Sequence, residues 1–431
     1  MTRRLAAALA MGLALSGASA TPGLAQRIPP PELTLTPKTL AYESSLWGVS
    51  FPDAQNGFAV GAYHSIFRTA DGGDTWVRLN DPLPRREPEP YDHAHRDAGD
   101  PTNGAYMGVS FVDADHGVVV SNDGFVLATS DGGNTWQTRP TPHPSTIDVV
   151  YPDNVAPKAW SFQKVSFVSR DHGYVVGASG VILATADNGL SWTYRGKPQY
   201  GNIRDVHFVD EFHGQVVGAN TGRPDAVKYT TLSTNDAGES WQVNLAGKPG
   251  DDASPLNMAA VAVTVPMHAV AVGEFGQVFV TFDEGKTWRT RRSGTNENLR
   301  DVAFADRRRG IAVGGVNFQG DNRGIVLATN DGGESWTAFP QPDVGFFTSV
   351  SFASPTTAFA VGCADRVFDV LIEGVSERIG TCHAAVTKID FPELDASIEA
   401  PQSSGGSRLP LFLLGAAVLV AGAGLLLARR R

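Results

Sequence analysis

Short apolar runs recur along the chain, and each is bounded by polar or glycine-rich residues. One such run, Trp47-Gly48-Val49-Ser50-Phe51, opens the first unit, and a small residue ends a second run ten residues after Phe51. The same spacing occurs seven times, at Phe51/Gly61, Phe111/Ser121, Phe167/Gly177, Phe208/Gly218, Val263/Gly273, Phe304/Gly314 and Phe352/Gly362. Short apolar runs between turn residues are typical of β-strands. The pattern therefore predicts seven repeated β units.

Six of the seven units continue into a motif of the form Thr-x-Asp-x-Gly-x-Ser/Thr-Trp. The aspartate side chain can accept backbone N–H groups that follow it, and the glycine suits a left-handed backbone position. The tryptophan then begins the next strand as a large apolar plug. We interpret the motif as a structural hairpin turn, which we call the Asp turn. Its tryptophan is expected to pack between neighbouring repeat units. Its aspartate and tryptophan pairs are Asp71/Trp76, Asp131/Trp136, Asp187/Trp192, Asp236/Trp241, Asp283/Trp288 and Asp331/Trp336.

Seven units of about 45 to 60 residues, each with four strand-like runs, predict an all-β fold, a single seven-bladed β-propeller. Radial stacking would bury both faces of each sheet, and ring closure would remove exposed sheet edges. The runs Val118–Val120, Val175–Val176 and Val216–Val217 fit strands that are covered on both sides. We expect the small residues that follow these runs to lie at a crowded axis.

The seventh unit has no Asp turn, and Cys363 and Cys382 lie in that part of the chain. We expect them to form a disulfide that holds the closing blade in place of the turn, although a pair of buried free thiols is the alternative. A strand over Leu33 to Leu40 is expected to complete this blade and lock the ring. Pro37 within it favours an edge position.

All long connections are predicted to emerge on one face of the ring, together with strand 2-to-3 loops. Long loops on a rigid scaffold commonly carry binding residues. The candidate partner-binding residues there are Tyr91, Asp92, His93, His95, Arg96, Tyr151, Trp160, Arg223, Gln319, Asp321 and Arg323. Trp160 either anchors a ligand or seals its loop onto the third blade.

Histidines occur in two settings. His116, His172 and His213 recur at one position of the repeat, between the first two strands, and we interpret them as turn residues. The segment from Tyr91 to Asp97 is dense in metal-ligating residue types, but it follows three prolines among charged residues, which favours a solvated loop. No Cys/His spacing resembles a zinc site. We therefore predict no metal, no cofactor and no catalytic residue.

Charge excludes one class of partner. The chain has a formal net charge of −10, and outside the terminal arginines it holds thirty basic against forty-five acidic residues. Nucleic-acid binding requires a basic face, so an acidic body argues against it. We expect the chain to be a monomer and its partner to be a protein.

Both ends of the chain carry export or membrane signals. Residues 1–20 read as a signal peptide, because Arg3 and Arg4 precede an apolar run and a small-residue cleavage site. Residues 21–32 form a Pro-rich leader, 33–395 the propeller and 396–408 a Ser/Gly linker. Residues 409–428 could span a membrane, and 429–431 form a basic cytoplasmic end. The propeller would then lie on the periplasmic side or the cell surface of a bacterial membrane. The tail is either a permanent anchor or a sorting tail that is cleaved near Gly405 or Gly406.

The six Asp turns and the opening pattern Val-x-Phe-x-Asp resemble the BNR or sialidase-type repeat. The seven-fold spacing over residues 45 to 390 is similar to the photosystem II stability and assembly factor-like propellers. That resemblance implies binding of a membrane-protein partner during assembly, without enzymatic activity. It also implies a basic partner-binding patch, for which Arg307–Arg309, with Arg289, Arg291, Arg292 and Arg300, are the candidates. From the residues alone, the default interpretation of this cluster is a solvated turn.

Two other functions stay open. Sialidases share the Asp turn, and Arg27-Ile28-Pro29 matches their early motif, but it precedes every repeat. A glycoside hydrolase of this type also needs a tyrosine nucleophile with acids and arginines around the axis, which the sequence does not supply. The other alternative is a surface glycan-binding or adhesion module.

Overall fold

The computed structural model describes residues 31–80, 104–146, 159–196, 201–219, 229–246, 258–315, 323–341, 344–364, 368–372, 375–379 and 382–392. These residues form seven four-stranded antiparallel sheets and one small hairpin. The prediction of an all-β, seven-bladed propeller is confirmed. The predicted signal peptide (1–20), linker (396–408), apolar tail (409–428) and basic end (429–431) lie outside the described residues. Within the described ranges, no helix has the length and apolar character to cross a membrane.

The strands follow one another from the inner to the outer edge of each blade. The described chain begins with β1 (Thr34–Glu43). Blade 1 consists of β2 (Leu46–Ser50), β3 (Gly57–Gly61), β4 (Ser65–Thr69) and β5 (Val77–Arg78). Blade 2 consists of β6 (Tyr106–Phe111), β7 (Gly117–Ser121), β8 (Val126–Thr129) and β9 (Gln137–Thr138). Blade 3 consists of β10 (Phe162–Phe167), β11 (Gly173–Gly177), β12 (Ile182–Thr185) and β13 (Thr193–Tyr194).

Blades 4 to 6 repeat this order. Blade 4 consists of β14 (Asn202–Phe208), β15 (Gly214–Ala219), β16 (Tyr229–Thr234) and β17 (Gln242–Ala246). Blade 5 consists of β18 (Met258–Val265), β19 (His268–Gly273), β20 (Gln277–Thr281) and β21 (Arg289–Arg292). Blade 6 consists of β22 (Leu299–Phe304), β23 (Gly310–Gly315), β24 (Gly324–Thr329) and β25 (Thr337–Gln341). Short 3₁₀ turns occur at Pro144–Thr146, Ala178–Gly180 and Glu274–Gly276.

Blade 7 combines the two ends of the propeller. Its strands are β26 (Phe346–Ser354), β27 (Thr357–Cys363), β30 (His383–Asp390) and, at the outer edge, β1. A separate hairpin of β28 (Phe368–Ile372) and β29 (Val375–Ile379) lies between β27 and β30 in the chain. The expected closure by an N-terminal strand is confirmed, and Pro37 pairs with Thr387 on this edge strand.

The first strands of neighbouring blades contact one another around the axis, and β26 of blade 7 contacts β2 of blade 1. Hydrogen bonds run between these strands. Phe111 N donates to Ser50 Oγ (3.0 Å), Phe167 N to Ser110 Oγ (3.1 Å), and Phe51 N to Ser351 Oγ (3.1 Å). The last of these joins blade 1 to blade 7. The second strands β7 and β11 are fully buried, as their valine runs predict.

A bulge occurs in the first strand of every blade. In blade 1 the register shifts between Leu46 and Gly48, and the six other blades shift at the equivalent place. The bulge brings the backbone of the first strand close to the small residue that ends the second. A Cβ on Gly61 would lie 2.1 Å from the Ser45 carbonyl oxygen. The same close approach holds for Gly177, Gly218, Gly314 and Gly362, so in these five blades the glycine is required by the adjacent strand's backbone, rather than by crowding at the axis as the sequence suggested.

The Asp turn has the same hydrogen bonds in all six copies. In blade 1, Thr69 Oγ1 donates to Asp71 Oδ1 (2.7 Å), and Gly73 N donates to Thr69 Oγ1 (2.9 Å). Thr75 donates to the same carboxylate through N (2.8 Å) and Oγ1 (2.6 Å). Gly73 has φ of +87°, a left-handed value that favours glycine. These bonds close the hairpin locally, and one backbone bond, from Gly72 N to the Gln55 carbonyl (2.9 Å), ties it to the strand 1-to-2 turn of the same blade.

The turn tryptophans lie one residue before the strand that they were predicted to begin. In blade 1 the carboxylate of Asp71 binds Thr75 N, so the first ladder pair of the hairpin is Arg68 with Val77, and Trp76 stays in the turn. The prediction that the tryptophan opens the strand was therefore wrong by one position in every copy. The other five are Trp136 before β9, Trp192 before β13, Trp241 before β17, Trp288 before β21 and Trp336 before β25.

Burial of these tryptophans is also less uniform than a fully apolar plug would require. Trp76 and Trp192 are buried, whereas the other four are half-buried. Trp336 Nε1 donates to the Gly333 carbonyl (3.0 Å). In the described chain the Nε1 atoms of the other five are buried without a hydrogen-bond partner, and these are Trp76, Trp136, Trp192, Trp241 and Trp288. The indole serves mainly as packing surface.

Turn tryptophans pack edge-on against the phenylalanine near the end of the first strand of their own blade. Trp76 and Phe51 have centroids 5.9 Å apart at 82°. The turn also touches the preceding blade, since a Cβ on Gly73 would meet the Phe359 ring. Each Asp turn is thus a corner where two blades meet, as predicted. The equivalent pairs, at 6.0 to 6.3 Å, are Phe111/Trp136, Phe167/Trp192, Phe208/Trp241 and Phe304/Trp336.

Blade 5 carries Val263 where the first strands of the other blades carry this phenylalanine. Trp288 instead packs against a cluster that contains Val263 and Phe279 of its own blade and Val217 of blade 4. The predicted packing between blades therefore holds for Trp288, but without the ring-to-ring contact of the other copies.

Antiparallel order fixes which loops share a face. The strand 1-to-2 turns and the Asp turns lie on one side, which we call the Asp-turn face. The strand 2-to-3 loops and the blade-to-blade connections lie on the other, the long-loop face. On the Asp-turn face, His116 N and Nδ1 bond Asp113 Oδ1, and His213 repeats this arrangement with Asp210. The interpretation of these histidines as turn residues agrees with that geometry.

The Cys363–Cys382 disulfide is present, but its predicted place was wrong. Cys363 ends β27, and Cys382 immediately precedes β30, so the bond lies at a strand 2-to-3 connection on the long-loop face. An Asp turn would connect strands 3 and 4 on the opposite face. In blade 7 that connection does not exist, because the fourth strand is β1. The disulfide instead closes the base of the segment that contains the β28–β29 hairpin.

Loss of the disulfide is expected to destabilise the ring. Because the bond closes a loop of 19 residues, Cys382→Ser should lower the free energy of unfolding by about 3 kcal/mol through the entropy of the unfolded chain. Calorimetric melting temperatures of the variant and of the oxidised parent protein check this. The parent protein with its disulfide reduced should show a similar loss of stability. Equal melting temperatures for variant and oxidised parent would contradict the assignment.

Acid should destabilise the Asp turns. Hydrogen bonds from the Thr75 side chain and backbone hold the pKa of Asp71 down at about 2, and the equivalent bonds from Thr135 lower the pKa of Asp131. A carboxyl whose pKa is lower in the folded state stabilises the fold above its unfolded pKa of about 4 and loses that effect as pH falls towards 2.

Urea titrations between pH 5 and pH 2 test this dependence. The stability of Asp71→Asn should fall less steeply over that range than that of the parent. Asp74→Asn, which removes an exposed carboxylate from the same turn, should retain the parental slope. Parallel curves for Asp71→Asn and the parent would show that the turn does not set the acid response.

Candidate functional site

The long-loop face collects the described ends of all long connections. The segments 81–103, 147–158, 220–228, 247–257 and 316–322 each lie between strands whose ends are on this face. The strand 2-to-3 loops of blades 1, 2 and 5 add exposed aromatic side chains, Tyr63, Phe125 and Phe275. In the described chain this face therefore combines variable loops with apolar surface.

The first-strand bulges line the entrance to the axis from this face. Two of them carry arginine, Arg204 in blade 4 and Arg300 in blade 6. Arg204 Nη1 lies 3.9 Å from Glu274 Oε1, and the Arg300 guanidinium lies 5.5 Å from the Phe346 ring centroid. Burial lowers the pKa of Arg300, with a further contribution from Arg204. The entrance is thus a site where cationic and aromatic groups meet.

An ionic cluster crosses the axis beneath this entrance. Lys164 Nζ, from blade 3, lies 3.2 Å from Asp301 Oδ2 in blade 6 and 3.9 Å from Asp205 Oδ1 in blade 4. Blades 3 and 6 are not neighbours, so the lysine side chain spans the channel. Ser349 Oγ, from blade 7, also donates to Asp301 Oδ2 (2.7 Å).

Backbone groups complete the coordination of both carboxylates. Val261 N donates to Asp205 Oδ2 (2.8 Å), and Val350 N donates to Asp301 Oδ2 (3.0 Å), in each case from the next blade. Both aspartates are almost fully buried, whereas 28% of the Lys164 side chain stays accessible inside the channel although protein surrounds it. With these backbone donors the cluster joins five blades, 3 to 7, across the axis.

Electrostatics in this cluster follow from burial and pairing. Burial alone would lower the pKa of Lys164, but the charges of Asp301 and Asp205 outweigh it and raise that pKa. Burial raises the pKa of Asp205 despite the neighbouring lysine. Burial also lowers the pKa of His207 to about 4, so its ring stays neutral and Nδ1 accepts from Val263 N (3.2 Å). The lysine and the aspartates therefore pair with one another, and the His207 ring is held by the backbone of the next blade.

This cluster was not predicted from the sequence, although a signal was present. Three positions before the last apolar residue of each first strand, the seven units carry Gly48, Gly108, Lys164, Asp205, Ala260, Asp301 and Ser349. Charged residues at a position that is otherwise small or hydroxyl-bearing mark a departure from the repeat. Their mutual contact could not be deduced, since it depends on which blades face each other.

Two of the eleven predicted partner-binding residues lie in the described chain. Trp160 is 3% exposed, its Nε1 donates to the Pro142 carbonyl (2.6 Å), and its ring stacks on Tyr194 at 5.7 Å. This geometry seals the loop onto blade 3 and leaves no ring face for a ligand. Arg323 is exposed and precedes β24 on the long-loop face. The other nine, Tyr91, Asp92, His93, His95, Arg96, Tyr151, Arg223, Gln319 and Asp321, lie outside the described residues.

The arginines that were candidates for a basic patch are divided in the structure. Arg307–Arg309 lie in the strand 1-to-2 turn of blade 6, whereas Arg300 lies at the opposite end of β22. Arg309 Nε is 2.7 Å from Asp306 Oδ2, and Arg291 forms two hydrogen bonds with Glu334. These arginines support turns and blade contacts. Among the described residues, no three of the His, Cys, Asp and Glu side chains group closely enough to hold a metal ion.

Comparisons with known proteins agree with this architecture. The family model described as photosynthesis system II assembly factor YCF48 matches residues 91–194 and 153–291. The photosystem II assembly lipoprotein Ycf48 of Synechococcus sp. (strain CC9902) is 21% identical over 282 residues, which cover 55% of this chain and 76% of that protein. The chloroplastic photosystem II stability/assembly factor HCF136 of Oryza sativa subsp. japonica is 32% identical over 128 residues, 29% of each chain.

A solved structure of YCF48 bound to a D1 peptide shows the same fold. It superimposes with a TM-score of 0.54 at 17% sequence identity, covering 82% of this chain and 96% of that one. The matched relatives are named as assembly factors and not as enzymes. The repeat, the seven-fold ring and these matches identify the chain as an Asp-turn (BNR) repeat propeller similar to the photosystem II assembly factors.

Proposed function

We propose that this chain binds a protein partner through its long-loop face, as an assembly factor for a membrane protein complex. The observation that carries the proposal is the collection of every long connection on one face of a closed, rigid ring. A rigid scaffold with variable loops is suited to recognition of another macromolecule. The relatives support it, since they are named as assembly factors and one is solved with a D1 peptide.

The surface chemistry of the described part of this face suits a polypeptide. Tyr63, Phe125 and Phe275 expose between 38% and 58% of their surface, and aromatic residues are enriched at protein interfaces. Arg204 and Arg300 at the axial entrance add cationic groups that can pair with a carboxylate, such as a chain terminus. The suggestion that the partner resembles D1 comes only from the solved structure of YCF48 with a D1 peptide, and not from the surface of this chain.

A binding role also fits the axial acids better than hydrolysis of a glycan. Glycosidases need two carboxyl groups open to the sugar on either side of the scissile bond. In the described channel, Asp205 and Asp301 are buried, accept backbone N–H groups and contact Lys164. They are therefore committed to holding the ring together.

We further propose that the propeller is exported and held at a membrane, at least transiently. The support is the sequence of the two ends, with residues 1–20 as a signal peptide and 409–428 as an apolar tail. The propeller would then act on the periplasmic or cell-surface side.

Replacement of one long loop tests the binding face. Residues 81–103 can be exchanged for a short Gly/Ser linker, while Gly104 to Tyr106 stay, because Tyr106 is fully buried and begins β6. Proteins captured from detergent-solubilised membranes should fall at least about tenfold, equivalent to about 1.4 kcal/mol of binding. Leu190→Ser, which removes an exposed apolar side chain from the Asp-turn face, should leave capture unchanged.

Melting temperature controls for folding in both variants. If the loop variant melts like the parent and captures the same proteins in the same amounts, the long-loop face is not the binding surface.

Processing of the tail is tested by the intact mass of the mature protein purified from membranes and from the cell surface. A transient tether predicts a product that ends near Gly405 or Gly406, and a permanent anchor predicts one that retains Arg431. A protein that retains residues 1–20 and is recovered from the cytosol would overturn the proposed export.

A further inference from the structure

Three exposed apolar side chains lie together on the Asp-turn face. Phe212, in the strand 1-to-2 turn of blade 4, and Met267, in that of blade 5, each expose 56% of their surface, and Phe282 in the blade 5 Asp turn exposes 45%. The two strand 1-to-2 turns are side by side, because His213 and Pro266 line one pocket. The Met267 carbonyl accepts a backbone N–H of the blade 5 Asp turn (3.3 Å). We call Phe212, Met267 and Phe282 the apolar corner, and exposed apolar surface of this kind marks an interaction site.

Two exposed arginines adjoin the apolar corner. Phe282 packs on the His268 ring with centroids 5.0 Å apart, and His268 Nε2 donates to the Gly332 carbonyl (3.0 Å) in the Asp turn of blade 6. Gly332 N donates in turn to the Arg308 carbonyl (2.9 Å). Arg307 and Arg308 are exposed in this strand 1-to-2 turn of blade 6. Apolar side chains and guanidinium groups therefore occupy adjoining turns.

Charge is distributed unevenly over the Asp-turn face. The strand 1-to-2 turns and Asp turns of blades 5 and 6 contain four basic residues, Lys286 and Arg307–Arg309, and five acidic ones. The same turns of blades 2 to 4 contain one arginine, Arg170, and nine acidic residues. An anionic surface would therefore repel blades 2 to 4 and approach the face most closely at blades 5 and 6. The nine acids are Asp113, Asp115, Asp131, Asp171, Asp187, Asp210, Glu211, Asp236 and Glu239.

The five acids in the turns of blades 5 and 6 are already engaged. Each one accepts a hydrogen bond in its own turn or pairs with a nearby cation. The pairs are Asp283/Thr287, Glu284/Lys286, Asp306/Arg309, Asp331/Ser335 and Glu334/Arg291. Arg307 and Arg308 are thus the exposed cations of these turns that the acids do not hold.

The described chain also leaves the ring on this face. Phe391 N donates to the Thr356 carbonyl (2.8 Å) in the strand 1-to-2 turn of blade 7, which is the neighbour of blade 6. Sixteen residues, 393–408, separate this point from the apolar segment 409–428. A chain of that length spans at most about 55 Å. A bilayer that holds the apolar segment is therefore within reach of the Asp-turn face.

We infer that the apolar corner, together with Arg307 and Arg308, rests on the surface of a bilayer that contains anionic phospholipid. The inference depends on the proposal above that the chain is held at a membrane. Phe212, Met267 and Phe282 enter the head-group region, where aromatic and apolar side chains are stabilised, and the two arginines pair with lipid phosphates. The long-loop face then points away from the lipid, towards the extramembrane parts of a partner.

Fluorescence quenching of the full chain in lipid vesicles tests the inference. The two cysteines of the chain pair with each other, so Met267→Cys supplies a single thiol for an NBD label. In vesicles of phosphatidylcholine and phosphatidylglycerol, lipids that carry a doxyl group near the head group should quench this label. Leu190→Cys, in the blade 3 Asp turn, and Phe275→Cys, on the long-loop face, replace side chains of similar exposure. Labels at these two control positions should not be quenched.

Charge reversal tests the role of the arginines in the same labelled protein. One basic residue near an anionic membrane is worth about fivefold in binding, so Arg307→Glu should lower the ratio of docked to undocked protein at least about fivefold. Vesicles of phosphatidylcholine alone should have a similar effect. Arg292→Glu makes the same change at an exposed position on the long-loop end of β21 and should leave quenching unchanged. Melting temperatures equal to that of the parent verify the fold of each variant.

Flotation of the vesicles separates this inference from the proposed tether. Protein that floats with the vesicles without quenching at Met267→Cys is tethered but not docked, which overturns this inference alone. Protein that does not float overturns the tether and the docking together. Equal quenching at Leu190→Cys and Met267→Cys would refute the assignment to the apolar corner. An NBD emission shift that grows with protein concentration in detergent, without quenching in vesicles, would assign the corner to a second copy of the chain.

Discussion

The ring depends on the pairing of β1 with β30, which joins the two ends of the propeller and brings Thr34 beside Asp390. A β-sheet with an unpaired edge is a template for aggregation, and this pairing gives the last blade its outer strand. Blade 7 also meets blade 1 where Phe51 N donates to Ser351 Oγ and Thr348 Oγ1 donates to the Leu46 carbonyl. Six blades are built from local hairpins, but the seventh requires both ends of the propeller.

A second constraint acts along the axis. Lys164 pairs with Asp205 of the neighbouring blade and with Asp301 of a blade across the channel, so the cluster responds to the diameter of the whole ring. Buried charges are costly unless they are paired and hydrogen-bonded, and here backbone groups from adjacent blades complete the pairing. An assembly with another number of blades would separate these groups. The cluster is therefore consistent with a role in specifying seven blades.

Much of the fold could be predicted because its information is local. The Asp turn of the first copy runs from Thr69 to Thr75, and the hydrogen bonds that define its shape join side chains and backbone within that segment. The place of the disulfide could not be predicted, because the β28–β29 hairpin interrupts the repeat and shifts the cysteines to the other face. Trp160 could not be assigned, because its partners Pro142 and Tyr194 are set by folding of a long loop.

The pairing of β1 with β30 has a practical consequence for the two chain ends. Because Thr34 pairs with Asp390 and β30 is a third strand, residues 31–33 and 391–392 leave the ring side by side on the Asp-turn face. Directly opposed residues of antiparallel strands lie about 5 Å apart at their Cα atoms. Immobilisation of the propeller through either terminus on a sensor surface would therefore present the same orientation, with the loop-bearing side directed into solution.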